Sequence, residues 1–350
     1  MNSHRNIRPE VAKRFVQRLC EGAGMNAEDS RIFADIVVET DCMGVESHGI
    51  ARVPLYTGRI KSGVMSTGLK LEILRDYPWG VAADAHDAMG HLGAYRIMES
   101  VIAKAEGCGV GIGVLRGSNH YGMASYYSRM AAARDMIGVS ISNATPIMAP
   151  FGGMEAKMGN NPIAVAVPTH GDPISLDVSC SQVARGRISK AEREGRDIPP
   201  GCALDAEGRP TTNATEALKG VILPFAGHKG YGFAFIADIL TGALAGGNFS
   251  TEAPRSDDYS RPRNTCHFFM AINVAMLQDL ETFKDSVDRY VAELRATRPA
   301  AGFDGVKFPG EIEANLRRDR IANGIPYHVS TLEMLNRLAD ELGVEPLDYE

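Results

Sequence analysis

The chain has little of what marks several common protein classes. Its six cysteines, Cys20, Cys42, Cys108, Cys180, Cys202 and Cys266, are widely scattered and form no C-x-x-C pair. That spacing argues against a structural zinc site and reads as free thiols in a reducing compartment. No apolar run approaches the ~20 residues of a membrane span. The start, MNSHRNIRPEVAKRF, holds no apolar signal segment. Basic residues are not in excess. Lys and Arg number 37 against 43 Asp and Glu, a formal net charge of −6. A nucleic-acid binder usually carries a basic footprint, so none is expected here. The expectation is a soluble, cytoplasmic protein with neither a membrane nor a nucleic acid as partner.

Two nucleotide signatures are also missing. The glycine-rich stretch EGCGVGIGVLRG has Gly107, Gly109, Gly111, Gly113 and Gly117, and no three of them fit G-x-G-x-x-G. A helical pattern precedes it and a strand follows, the reverse of the common dinucleotide turn. AGHKGYG places its lysine in the wrong frame for a Walker A loop. His48, His120 and His228 are far apart and form no H-x-x-x-H pair, so no metal site is expected.

What is present is ordinary globular material, 44% hydrophobic and 23% charged, which rules against extended disorder. Helical periodicity marks PEVAKRFVQRLCEG and AEDSRIFADIVVETDC at the front, and LETFKDSVDRYVAELRA, GEIEANLRRDRIANG and TLEMLNRLADEL at the back. KLEILRD and WGVAADAH read as a hairpin. VGIGVLRG, IGVSISN, NPIAVAVP, ISLDVS and CHFFMAINV read as further strands, and GHKGYGFAFIADILTGALAG as a long buried helix. The stretch from Gly247 to Asn264 reads as a mobile loop. A helical front and back thus flank a mixed central region. The expected boundaries are 1–73 for the N-terminal helices, 74–284 for the sheet domain, and 285–350 for C-terminal helices packing back on the first.

Five stretches carry candidate chemistry. In ESHGIARVPLY, a helix capped by Ser47 and running to about Lys61 would stack His48, Arg52 and Tyr56 on one side. Arg52 can hold a carboxylate through two parallel hydrogen bonds. His48 is the residue type suited to proton transfer near neutral pH. Together they fit a 2-hydroxy or 2-oxo acid. RGSNHYGMASYY places Ser118, Asn119 and His120 at a strand's C-terminal end, where α/β sheets bind ligands. NATPIMAPFGGMEAKMGNNPIAVAVP is a long loop between strands, a length that is often functional. LDVSCSQVARGRI offers Asp177 for ribose hydroxyls and Arg185 for a substrate or phosphate. AGHKGYGFAF sets His228 and Lys229 at a glycine-rich helix start, an anion pocket. These residues leave two other classes open, a metal-dependent lyase or hydratase and a non-catalytic metabolite-binding protein.

Taken in order, these stretches, with ALDAEGRPTT and the FPGE of Phe308–Glu311, resemble the malate/L-lactate dehydrogenase family over nearly the whole chain. The resemblance implies an α/β fold with α+β character: a mixed-sheet cofactor domain of non-Rossmann type, and a helical subdomain built from both chain ends. It also implies an NAD- or NADP-dependent oxidoreductase acting on small 2-hydroxy acids, and a homodimer with its sites near the subunit interface. It implies His48 as proton donor supported by Ser47, and Arg52 as the carboxylate anchor. Tyr56, Asn160, Arg185 and Gly186 are the further substrate-side candidates. On the cofactor side stand His120, Tyr121, Gly122, Met123 and Ala124, then Asp177, Val178 and Ser179, then His228 and Lys229, and finally Gly310 and Glu311. In some relatives the histidine matching His120 is the base. Other relatives reduce diketo sugar acids or cyclic imino acids. Two departures stand out: Asn160 occupies a position where many members have threonine, and Arg187 one where the imino-acid reductases carry an acid.

Overall fold

A computed structural model of the chain describes residues 3–254 and 258–349. The two ends meet. β1 (His4–Ile7) pairs antiparallel with β12 (Ile325–His328), with Ile7 opposite Ile325. Beside this ribbon lie α1 (Pro9–Gly22), α2 (Ala27–Cys42) and α11 (Val329–Leu342). α1 buries Ala12, Phe15, Val16 and Leu19, a spacing that collects side chains on one helix face. α2 begins where the Asn26 side chain accepts the Asp29 N–H at 2.9 Å, satisfying one of the donors a helix start leaves open.

The helix expected from Ser47 to Lys61 is interrupted. The chain makes two short 3-10 turns, Glu46–His48 and Ile50–Arg52, before α3 (Val53–Lys61). Gly49 between them is extended. The cause lies nine residues upstream. Buried Asp41 accepts the Ile50 N–H on Oδ2 at 2.9 Å, removing that donor from a helical ladder. Gly49 lies directly on the same carboxylate: a Cβ there would be 1.7 Å from Asp41 Oδ1. Ser47 is therefore not a helix cap, and its hydroxyl is left for His48.

The centre is one seven-stranded sheet. Its strands are β2 (Glu72–Tyr77), β3 (Gly80–Asp84), β4 (Val110–Ser118), β5 (Met136–Ser142), β6 (Ile163–Val167), β7 (Ile174–Val178) and β11 (Thr265–Asn273), in the order β2-β3-β4-β11-β5-β6-β7. Only β3 and β4 run parallel, and α4 (Gly90–Cys108) makes the crossover that a parallel pair requires. β11 lies in the middle and is covered on both faces. Phe269 and Ala271 join the core with α4, and Cys266 and Phe268 pack with Ala237 on the other side. A strand buried twice reads as a continuous apolar run, as TCHFFMAIN does. The boundary drawn after residue 73 falls inside β2.

α5 (Ala124–Ala132) follows β4. After β7 come α6 (Arg185–Arg193), the small strands β8 (Ala203–Leu204), β9 (Pro210–Thr211) and β10 (Val221–Ile222), and α7 (Ala214–Lys219). α8 (His228–Asp238) continues into a wider turn over Ile239–Ala243. It is not the buried helix its sequence suggests. Ala234 and Ala237 face inward, but Phe233, Phe235, Ile236 and Ile239 are all at least 40% exposed. α9 (Leu280–Arg295) and α10 (Glu311–Asn323) complete the chain. The expected loop from Gly247 to Asn264 contains a short turn at Ser250–Glu252, and residues 255–257 lie outside the described residues.

Candidate active site

A cleft of about 610 Å³ opens where the Glu46–Arg52 turns, the start of α5, the end of β7 and the segment ahead of α10 converge. His48 and His120 both line it, their rings 5.1 Å apart and stacked. Their hydrogen bonds differ in kind. Nδ1 of His120 meets the Tyr56 hydroxyl at 2.7 Å and the Gly122 N–H at 3.3 Å. A backbone N–H can only donate, so Nδ1 must accept and the neutral ring carries its proton on Nε2. Nδ1 of His48 meets only the Ser47 hydroxyl, at 2.8 Å. A hydroxyl can donate or accept, so Nε2 of His48 is free to be either bare or protonated.

Electrostatics keep both rings neutral at pH 7. Burial, and then the Arg52 charge, lower the His48 pKa to about 4. Burial also holds His120 well below the usual histidine value, with His48, Arg52, His91 and Arg263 adding to the effect. Arg52 gives its Nε to the Ser47 carbonyl at 2.8 Å, which ties the guanidinium to the same turn. Behind the turn stands a brace from three elements. Tyr327 of β12 donates its hydroxyl to Asp41 Oδ2 at 2.9 Å, and Arg320 of α10 reaches both the Asp41 carbonyl and the Glu46 carboxylate.

At the other side of the cleft, Asp177 of β7 accepts the Ser125 N–H at 2.8 Å. It thereby caps the first turn of α5 with its own negative charge. Gly310 sits at φ +86° and is pressed against β7, so that a Cβ there would fall 2.8 Å from the Ser175 Cβ. Ser175 lines the cleft, and its buried Oγ has no partner among the described residues.

A match to the family described as malate/L-lactate dehydrogenase runs from residue 7 to residue 336. The chain belongs to the malate/L-lactate dehydrogenase family. It is 38% identical over 341 residues to a malate dehydrogenase of Pyrococcus horikoshii, covering 95% of this chain and 94% of that one. It is 37% identical over 346 residues to an L-sulfolactate dehydrogenase of Methanocaldococcus jannaschii, covering 98% and 99%. The solved structure of a sulfolactate dehydrogenase from that organism superposes with a TM-score of 0.92 over 97% of this chain and 98% of that one. A ureidoglycolate dehydrogenase of Escherichia coli is 33% identical over 312 residues, 88% of each chain.

Membership of the malate/L-lactate dehydrogenase family makes this chain a nicotinamide-dependent oxidoreductase of 2-hydroxy acids. The cleft fits that cofactor. Its volume suits a bound dinucleotide segment, and Ser175 Oγ is a buried polar atom with no partner among the described residues. Of the residues picked from the sequence, His48, His120 to Ala124, Asn160, Asp177 to Ser179 and Gly310 line the cleft. Ser47, Arg52 and Tyr56 stand immediately behind His48 and His120. Arg185 turns away to the Leu218 carbonyl, while Arg187, two residues on and so on another face of α6, lines the cleft. Glu311 accepts the Phe308 N–H and pairs with Arg295, facing an adjoining cavity. His228 and Lys229 are exposed at the start of α8 and lie outside the cleft. Sequence reasoning missed Ser175 and Arg263, which line the cleft from positions that no motif marks.

Proposed function

We propose that His48 carries the proton of the C2 oxygen while Arg52 holds the C1 carboxylate, as a small 2-hydroxy acid and its 2-oxo acid interconvert. The observation behind this is the contrast in hydrogen bonding: Ser47 lets His48 take either protonation state, and the Gly122 N–H fixes His120 as a donor. His120 then donates Nε2–H toward the same oxygen and polarises it. Tyr56 holds His120 in that orientation. The nicotinamide, when bound, supplies or accepts the hydride. His120 to Ala124, Asp177 to Ser179, Ser175 and Gly310 would hold the cofactor, either NAD or NADP.

A neutral His48 suits hydroxy-acid oxidation, where it accepts a proton. In that direction the rate should fall as pH drops through about 4. A bound carboxylate offsets the Arg52 charge and moves this limb upward. The reading extends to a soluble, cytoplasmic homodimer. The exposed apolar side of α8 would meet the same side of a second copy, and His228 and Lys229 at its end would reach the partner's cleft. Reduction of cyclic imino acids or diketo sugar acids is the second reading. Arg187, a base lining the cleft where the imino-acid reductases have an acid, counts against the imine.

The test is His48→Ala with NADH and NADPH across small 2-oxo acids. Turnover should fall by about a thousand-fold, with cofactor binding retained. Loss of cofactor binding in a folded variant, or retained turnover, would contradict the assignment.

A further inference from the structure

Arg263 is buried and, among the described residues, without a counter-ion. It is 6% exposed, lines the cleft together with His48 and His120, and has a buried Nε without a hydrogen-bond partner. Among the described residues, the charged and titratable groups that bear on it are Arg59, Arg52, the Tyr56 phenol and His120, two of them positive and none a carboxylate. Among the described residues, no carboxylate pairs with it. Burial first, then these like charges, push its pKa down to about 10. Arg59 also has a buried Nε without a partner, but it does not line the cleft, and its other guanidinium nitrogens donate to the carbonyls of Asp258 and Arg261 at 2.8 and 3.5 Å.

The backbone fixes Arg263 where it is. Asn264 follows it at φ +47°, a conformation that asparagine tolerates. The Asn264 side chain accepts the Gly117 N–H at 2.7 Å and donates to Asn248 Oδ1 at 3.1 Å. A buried guanidinium held rigidly with no anion beside it is costly unless a ligand brings the anion.

We propose that Arg263 is a specificity-determining residue that takes a second anionic group of the substrate, a distal carboxylate or sulfonate, while Arg52 takes the C1 carboxylate. The proposal rests on the reading of His48 and Arg52 above. The consequence is discrimination. A dianionic 2-oxo acid pairs both guanidiniums, whereas a monoanion with a methyl group in the distal place leaves Arg263 buried and unpaired in the complex. A site built around a polar partner rejects the analogue that lacks it more strongly than an apolar pocket does.

The experiment compares the wild type with Arg263→Gln and Arg263→Lys. Reduction of oxaloacetate and sulfopyruvate is measured beside that of pyruvate and 2-oxobutanoate. Binding of succinate and of propionate, which cannot react, is followed by calorimetry. The wild type should favour the dianions in kcat/KM by about a hundred-fold or more. Arg263→Gln should lower kcat/KM for the dianions by about the same factor, chiefly through KM, and alter the monoanions by less than about ten-fold. Arg263→Lys should recover part of the loss, and succinate binding should vanish in Arg263→Gln. Equal losses on both classes, or a wild type indifferent to the second charge, would overturn the proposal. So would a clear fall in the melting temperature of Arg263→Gln, because the guanidinium would then be holding the fold. If no 2-oxo acid is reduced but succinate binding still depends on Arg263, the anion site stands and the His48 and Arg52 roles fail.

Discussion

Two stretches of this chain set a histidine near a basic residue at a glycine-broken helix start, Glu46–Arg52 and Gly227–Gly230. The first lines the cleft through His48 and the second does not. What differs is the material behind each. The first turn rests on Asp41, Tyr327 and Arg320, drawn from α2, β12 and α10. The second leads into an apolar helix face that the described residues leave open: Phe233 and Ile236 are 56% and 53% exposed. A histidine and a base beside a glycine offer an anion pocket in either place. The packing behind them decides whether the pocket belongs to this chain's own cleft or to a surface turned outward.

The sharpest way to break the contrast is Gly49→Ala. The added Cβ would lie 1.7 Å from Asp41 Oδ1, so either the carboxylate or the turn must move. Displacing a catalytic group by an ångström costs on the order of a hundred-fold in rate. We expect a fall in kcat of that size or more, with the cofactor side intact, read by steady-state kinetics beside NADH fluorescence titration. A variant that retains full kcat would show that the brace does not set the position of His48.

The outward stretch is tested by Ile236→Asp. A charge in the middle of a buried apolar interface disfavours assembly, whereas on a free surface it is nearly neutral. Sedimentation should show a dimer in the wild type and a monomer in the variant. If His228 and Lys229 serve the partner's cleft, the KM for NADH should rise in step with dissociation. A wild type that sediments as a monomer would sink the dimer reading.

The same contrast explains what could be read in the sequence. α1, α2 and the strands around β11 follow from periodicity and from Asn26 as a cap, because the forces that fix them act within a few residues. The sequence pattern put His48, His120 and Asp177 at the ends of elements as candidates, and all three line the cleft. The break at Gly49 was not legible, because its cause is a side chain on the preceding helix. Arg263 was hidden more deeply. Its meaning comes from Arg52, Tyr56 and Arg59, some two hundred residues away in the chain, and from the lack of an acid among them. α8 misled in the opposite sense. A helix apolar nearly all round reads as buried, and whether it is covered is decided by long-range packing that periodicity does not carry.

The smallest effect expected is a pH dependence seated in the brace. Asp41 is 1% exposed, and burial raises its pKa to about 7, against the opposing pull of the Ile50 N–H, the Tyr327 hydroxyl and Arg320. Glu46 adds to the rise. An unfolded aspartate titrates near 3.9. Because the folded value is the higher, the neutral carboxyl favours the fold. Its contribution is full below the unfolded value and is lost as pH rises through about 7. Between pH 5 and pH 8 the wild type should therefore lose on the order of 2 kcal/mol that Asp41→Asn, which cannot ionise, retains. Thermal melts of the two proteins at both pH values measure this difference. Parallel melting curves for the wild type and Asp41→Asn across this range would mean that burial does not raise the Asp41 pKa inside the fold, and that the brace under His48 does not depend on a neutral carboxyl.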